Sequence, residues 1–196
     1  MTQYILNSVK DSCTIKTKTI EVHKNNLLKV SDLIYSALKN KKKILLVGNG
    51  GSAADAQHIA AEFVVRLKQN RKAYPAIALT TDTSVLTSCG NDFGYDMVFK
   101  RQIEALGEKG DILIALSTSG NSKNVLEAIE EAKKKKIKII GFTGNNGGKM
   151  KNRCDILIDV KSENTMRIQE THITFLHIIS DIVEKMLTKG KKNENK

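Results

Sequence analysis

His58 and Glu62 stand four residues apart in a stretch of helical character, which puts an imidazole and a carboxylate on one face about one turn apart. Such a pair can share a proton or hold a metal ion, and it also occurs as a plain surface contact. Towards the other end of the chain, Gln169, His172 and His177 fall in a second helical stretch. Gln169 and His177 are separated by roughly 80° around a helix and can face one site, whereas His172 and His177 are about 140° apart. At most one of the two histidines therefore shares a site with Gln169. His23 has no partner in the pattern.

Two polar loops accompany these side chains. Gly48-Asn49-Gly50-Gly51-Ser52-Ala53 follows a short apolar run and opens into a helix. Its glycines let backbone N–H groups approach a ligand, and the helix start favours an anion. The string fits G-x-G-x-x-A, so a dinucleotide site is one reading. The next acid after the following strand is Asp82, far beyond the roughly 20 positions usual for a ribose contact. A Walker A loop is excluded, because no Gly-Lys-Ser/Thr follows. The second loop, Ser117-Thr118-Ser119-Gly120-Asn121-Ser122, presents the hydroxyls of Ser117, Thr118, Ser119 and Ser122 before another helix. One of these, Ser122, can serve as an N-cap; capping does not use the other three. Hydroxyls and free N–H groups together suit a phosphate monoester. Two such loops beside each other point to a small phosphorylated ligand.

The elements that must position these groups are legible from apolar spacing. Ile20, Leu27, Val30, Leu33, Ile34, Ala37 and Leu38 predict an amphipathic helix over residues 17–38. Short runs rich in Ile, Leu and Val predict strands at 43–47, 76–79, 111–117, 138–142 and 155–160, each covered on both faces. Helices are predicted at 52–67, 95–106, 122–136 and 164–187. Five strands alternating with helices imply an α/β fold, a Rossmann-like doubly wound five-stranded parallel sheet flanked by helices. Ligands of such sheets bind beyond the carboxyl ends of the strands, where both polar loops fall.

At 196 residues and 40% hydrophobic content the chain fills one ordinary domain, expected over 1–188, with a basic, disordered tail at 189–196. The net charge of +11 lies largely in lysine clusters at 41–43, at 133–136 and in the tail. Aromatics are 5% and tryptophan is absent, so stacking platforms for nucleic acid are scarce and the clusters read as solvated faces. Cys13, Cys89 and Cys154 show no C-x-x-C spacing; neither a disulfide framework nor a zinc knuckle is indicated, and a reducing cytoplasm fits. No apolar run approaches the roughly 18 residues that span a bilayer, and the first residues lack a signal-peptide pattern, so a soluble, unexported protein is expected.

The stretches GNGGSAADAQHIAAE, GNDFGYD, STSGNS, GGKM and RIQETHITFLH, in this order, resemble the phosphoheptose isomerases of the SIS (sugar isomerase) domain superfamily. The resemblance covers about residues 17–187; STSGNS alone would indicate only the wider superfamily. It implies conversion of sedoheptulose 7-phosphate to D-glycero-D-manno-heptose 7-phosphate for nucleotide-activated heptose synthesis, with lipopolysaccharide, capsule or another glycan as destination. It also implies a homotetramer whose active sites draw on more than one subunit. By motif match, Asn49, Gly50, Gly51 and Ser52 fall on the first substrate loop, Asn91 and Asp92 on a second substrate segment, and Ser117, Thr118, Ser119 and Ser122 on the phosphate loop. Glu62 and His177 match the catalytic pair. Glu62 and Gln169 are also substrate contacts, and His58, Glu62, Gln169 and His177 match the positions that hold zinc. Met166 departs from the pattern, standing where some relatives carry an acid.

An aldose–ketose isomerase must move a proton between adjacent carbons through an enediol, and a carboxylate paired with an imidazole suits that task. The competing readings are a non-catalytic SIS protein that binds a phosphosugar or the replication initiator, and an NAD-dependent oxidoreductase. Relatives of the first kind lack the acid and histidine that stand here as Glu62 and His177, and the position of Asp82 counts against the second.

Overall fold

A computed structural model describes residues 1–189. The chain runs through α1 (Thr2–Lys39), β1 (Ile44–Val47), α2 (Gly51–Val64), β2 (Ala76–Ala78), α3 (Thr83–Phe93), α4 (Val98–Leu106), β3 (Ile112–Ser117), α5 (Lys123–Lys134), β4 (Lys138–Thr143), β5 (Ile156–Asp159) and α6 (Thr165–Lys189). All five strands pair in parallel, in the order β2-β1-β3-β4-β5. Alternation along the strands divides the core. Ile44, Leu46, Ile112, Ile114 and Ile140 face α1, α2 and α6, whereas Leu45, Val47, Leu113, Ala115 and Ile139 face α3, α4 and α5. The doubly wound arrangement read from the sequence is the one observed. Its strand order reverses between β1 and β3, so the loops leaving those strands flank the switch-point crevice.

Three elements differ from the reading of the sequence. Helix α1 begins at Thr2 rather than near residue 17, because apolar periodicity reports burial, and the first buried residue of α1 is Thr19. Upstream, Tyr4, Ile5, Leu6 and Val9 are exposed, and the segment is tied to α6 by Arg167, which donates to the Ser8 carbonyl, and by Ser12 Oγ, which donates to Glu170 at 2.6 Å. Helix α3 was not legible: its residues are mostly Ser, Thr, Gly and Asn, poor helix formers, and only Cys89 is buried. Its cap is Asp82, which accepts from the Val85 N–H at 3.0 Å. The helix expected at 95–106 is a 3-10 turn, Tyr95–Met97, followed by α4. Helix α6 runs to Lys189, and the rest of the expected tail lies outside the described residues. No helix among the described residues is long and apolar enough to cross a membrane.

Candidate active site

The crevice is walled by the two polar loops. In the first, Asn49 and Asn124 exchange reciprocal amide hydrogen bonds of 2.9 Å, and the Tyr95 hydroxyl donates to Asn49 Oδ1 at 3.1 Å. These bonds lock the loop to α5 and leave Gly50 and Gly51 exposed at the start of α2. A Cβ at Gly51 would lie 2.6 Å from Nε2 of Gln169, so a side chain there would displace the α6 amide that comes down on the loop. Ser52 is buried beneath the loop rather than open to the crevice.

In the second loop, Ser122 sits at the N-cap of α5 but makes no side-chain cap bond; its Oγ pairs with Ser117 Oγ at 3.0 Å. Asn124 Oδ1 takes the Val125 N–H at 2.9 Å, and the N–H groups ahead of it are left to an outside acceptor, which is the condition for holding an anion. Ser119 Oγ accepts from the Asn121 N–H at 3.1 Å, and Asn121 Oδ1 accepts from the Lys149 N–H at 3.0 Å. Gly120 has φ of +65°, and a Cβ there would lie 2.2 Å from the Gly147 carbonyl oxygen, so this loop and the GGKM segment fit only through that glycine. Ser117 is buried, Thr118 half-buried and Ser119 exposed.

The side chains singled out first converge. His58 Nε2 lies 3.1 Å from Glu62 Oε1 and 3.0 Å from His177 Nε2, with the two imidazoles edge to face at 4.8 Å. Donor atoms of His58, Glu62 and His177 all fall within 4.8 Å of one another. One proton on His58 Nε2 cannot satisfy a carboxylate and a second imidazole fully at once. Three lone-pair donors around one point suit a cation better. Gln169 is not part of this cluster within one chain. Eight residues set it about 12 Å along α6 from His177, and its amide lies at Gly51. Asn91 and Asp92 occupy the last turn of α3, exposed, with Asn91 Nδ2 donating to Asp92 at 2.8 Å. Met166 is exposed in the first turn of α6.

His172 is fully buried against Phe142, its Nε2 bonded to the Thr143 carbonyl at 3.1 Å, and burial pushes its pKa down to about 4. It is a neutral core residue, and His177 is the histidine that reaches the site. His23, without a partner in the sequence pattern, bonds Asp159 Oδ1 at 3.0 Å. Asp82, the acid weighed for a ribose, is spent on the cap of α3. Sequence reasoning missed Asp55, one turn before His58 on α2. Burial pushes its carboxyl up to about 6, against the lowering influence of His58. The i, i+3 spacing to His58 was the available signal. Tyr95 and Asn124 were missed as supports of Asn49; Tyr95 lies within the GNDFGYD stretch.

A parallel sheet of this order, with serine-rich and glycine-rich loops at its switch point, defines a SIS domain, and the sequence model of the SIS domain family matches residues 9–144. Within that class, the chain belongs to the phosphoheptose isomerases. The phosphoheptose isomerase of Clostridium acetobutylicum is 50% identical over 196 residues, covering 99% of this chain and 100% of its own. That of Aliarcobacter butzleri is 56% identical over 171 residues, 87% of this chain and 90% of its own. Among solved structures, the Neisseria gonorrhoeae phosphoheptose isomerase superposes with a TM-score of 0.89 at 40% identity, covering 94% of this chain and 98% of that one. The Francisella tularensis enzyme gives 0.90 at 35% identity, covering 94% and 99%.

Proposed function

We propose that this chain isomerises sedoheptulose 7-phosphate to D-glycero-D-manno-heptose 7-phosphate, supplying nucleotide-activated heptose synthesis in the cytoplasm. The observation that carries the reading is the meeting of Glu62 from α2 and His177 from α6 beside His58. A protein that only binds a phosphosugar or the replication initiator has no use for an acid and a base at one point.

The phosphate sits at the start of α5, taking hydrogen bonds from Ser119, Thr118 and Ser122 and from backbone N–H groups. Asn49, Gly50, Gly51, Ser52, Asn91, Asp92 and Gln169 orient the sugar hydroxyls, Ser52 through its backbone. The ketose carries its carbonyl at C2. Glu62 takes a proton from C1 as the C2 oxygen gains one, and the C1–C2 enediol forms. His177 then delivers a proton to C2 while the C1 hydroxyl releases its own, which replaces the one taken up at the C2 oxygen, leaving the carbonyl at C1. Exchange with water returns Glu62 and His177 to their starting states. In the reverse direction the two exchange roles. His58, Glu62 and His177 present the nitrogen and oxygen donors that zinc takes, with donor atoms within 4.8 Å of one another. Zinc bound there would polarise the substrate carbonyl and stabilise oxyanion charge; Gln169, the fourth ligand the resemblance implies, would have to come from a neighbouring subunit, since within one chain its amide lies at Gly51. We further propose a homotetramer. The exposed Tyr4, Ile5, Leu6 and Val9 and the openness of the cluster at His58 support completion by neighbouring subunits.

The test is incubation with sedoheptulose 7-phosphate, with and without chelator, following aldose formation. Aldose formed by the untreated protein supports the reading, and loss with chelator supports the metal. No aldose under either condition overturns it.

A further inference from the structure

The C-terminus of α2 is held by a buried ion pair that the reaction scheme does not use. Arg71 and Glu184 are 4% and 2% exposed and meet through Nε and Oε1 at 3.0 Å. Every remaining polar atom of the pair is bonded to backbone. Glu184 accepts from the N–H groups of Leu67, Lys68 and Gln69 at 3.1, 2.9 and 3.1 Å. The guanidinium donates to the carbonyls of Phe63 at 2.8 Å, Lys72 at 2.9 Å and Glu62 at 2.6 Å. Burial raises the Glu184 carboxyl, but the N–H groups and the guanidinium outweigh it and hold the group below its usual range.

An ion pair buried only for stability is replaceable by apolar residues, often at no loss. This one differs in what it grips. The last carbonyls of a helix have no partner within it, and those of Phe63 and Glu62 are taken by Arg71. Glu62 is the residue whose side chain enters the cluster. Glu184 lies seven residues beyond His177, within about 20° of the same stripe of α6. One end of the pair therefore holds the backbone of the base, and the other sits on the helix that carries the acid, two turns away.

We propose that Arg71 and Glu184 are positioning residues of the isomerisation, a clamp that fixes Glu62 on α2 against His177 on α6; this rests on the assignment of those two as the acid–base pair. A shift of about 1 Å in a catalytic group is enough to slow a reaction by up to a hundredfold while binding is kept. Arg71→Lys keeps the charge and removes the fork that reaches two carbonyls at once.

The experiment is a double-mutant cycle in the full chain with sedoheptulose 7-phosphate, using the native chain, Arg71→Lys, Glu62→Gln and the double variant. Arg71→Lys is expected to lower kcat about tenfold with KM within twofold, and to cost less than twofold in the Glu62→Gln background, where there is no base left to position. Equal losses in both backgrounds would mean a general role in folding and overturn the proposal. Arg71→Lys at the native rate while Glu62→Gln is slow would overturn the clamp alone. Glu62→Gln at the native rate would remove the acid–base reading and the clamp with it. Should Arg71→Lys fail to fold, Glu184→Gln, which keeps the shape of the acceptor, passes through the same cycle against the same criteria.

Discussion

The two functional regions of this chain are built in opposite ways. The loop after β3 is held by close backbone packing and by side-chain bonds that are already satisfied: Gly120 packs on the Gly147 carbonyl, Asn121 Oδ1 accepts from the Lys149 N–H, and the Ser117 and Ser122 hydroxyls pair with each other. The His58, Glu62 and His177 cluster is made by side chains on two helices, exposed at His58 and half-buried at Glu62 and His177, with contacts that no single arrangement of protons satisfies. The first region can bind a phosphate with few adjustments. The second requires a proton, an ion or a substrate to complete it. Binding and chemistry are thereby separable, and substitutions in the two regions should show different kinetic signatures.

The largest effect is expected in the cluster. Glu62→Gln or His177→Ala should lower turnover by roughly a hundredfold to ten-thousandfold, the range for loss of a positioned acid or base, with folding unchanged by circular dichroism. Near-native rates in both variants would erase the distinction between the regions. His58→Ala should weaken zinc binding roughly a hundredfold by metal titration while light scattering still finds a tetramer. In the loop, Ser119→Ala and Ser122→Ala should each raise KM about tenfold with kcat nearly unchanged, since phosphate contacts persist from ground state to transition state. A fall in kcat at constant KM would move these serines into the chemistry.

The smallest effect concerns the other histidine of α6. His172 takes its proton near 6.5 when unfolded and only near 4 when folded, so the folded state binds fewer protons between those values. Stability present above pH 6.5 is lost as pH falls towards 4. Melting of the His172→Gln variant should therefore depend less on pH across this window than melting of the native chain. An unchanged slope would mean that His172 is not sealed from solvent.

Much of this division was legible in the sequence. Strands β1, β3 and β4 showed because residues buried on both faces leave continuous apolar runs, β2 and β5 showed as short apolar runs although they are less covered, and the loops showed because glycines and hydroxyls cluster directly after β1 and β3. Helical angle showed that His172 and His177 face apart, and the resemblance singled out His177. Helix α3 was not legible, since its Ser, Thr and Gly residues carry no apolar period, and neither was the first half of α1, which buries almost nothing in this chain. The position of Gln169 was read only in part: angle placed it on the right side of α6, but rise along the axis carries it to Gly51 rather than to the three donors. Arg71 and Glu184 left no signal, because partners 113 positions apart share no local pattern.

The proposed role of Glu62 and His177 is to pass protons between C1 and C2 through an enediol. It is tested most directly by converting sedoheptulose 7-phosphate in D2O and locating deuterium in the aldose by NMR. Because one group removes the proton and another delivers it, the account predicts deuterium at C2 of the product, formed at the native rate by the native chain and far more slowly by Glu62→Gln. Aldose formed with no deuterium at C2 would mean that the C1 hydrogen itself moves to C2, by hydride transfer or on one shielded base, and would contradict the division of roles between the two residues.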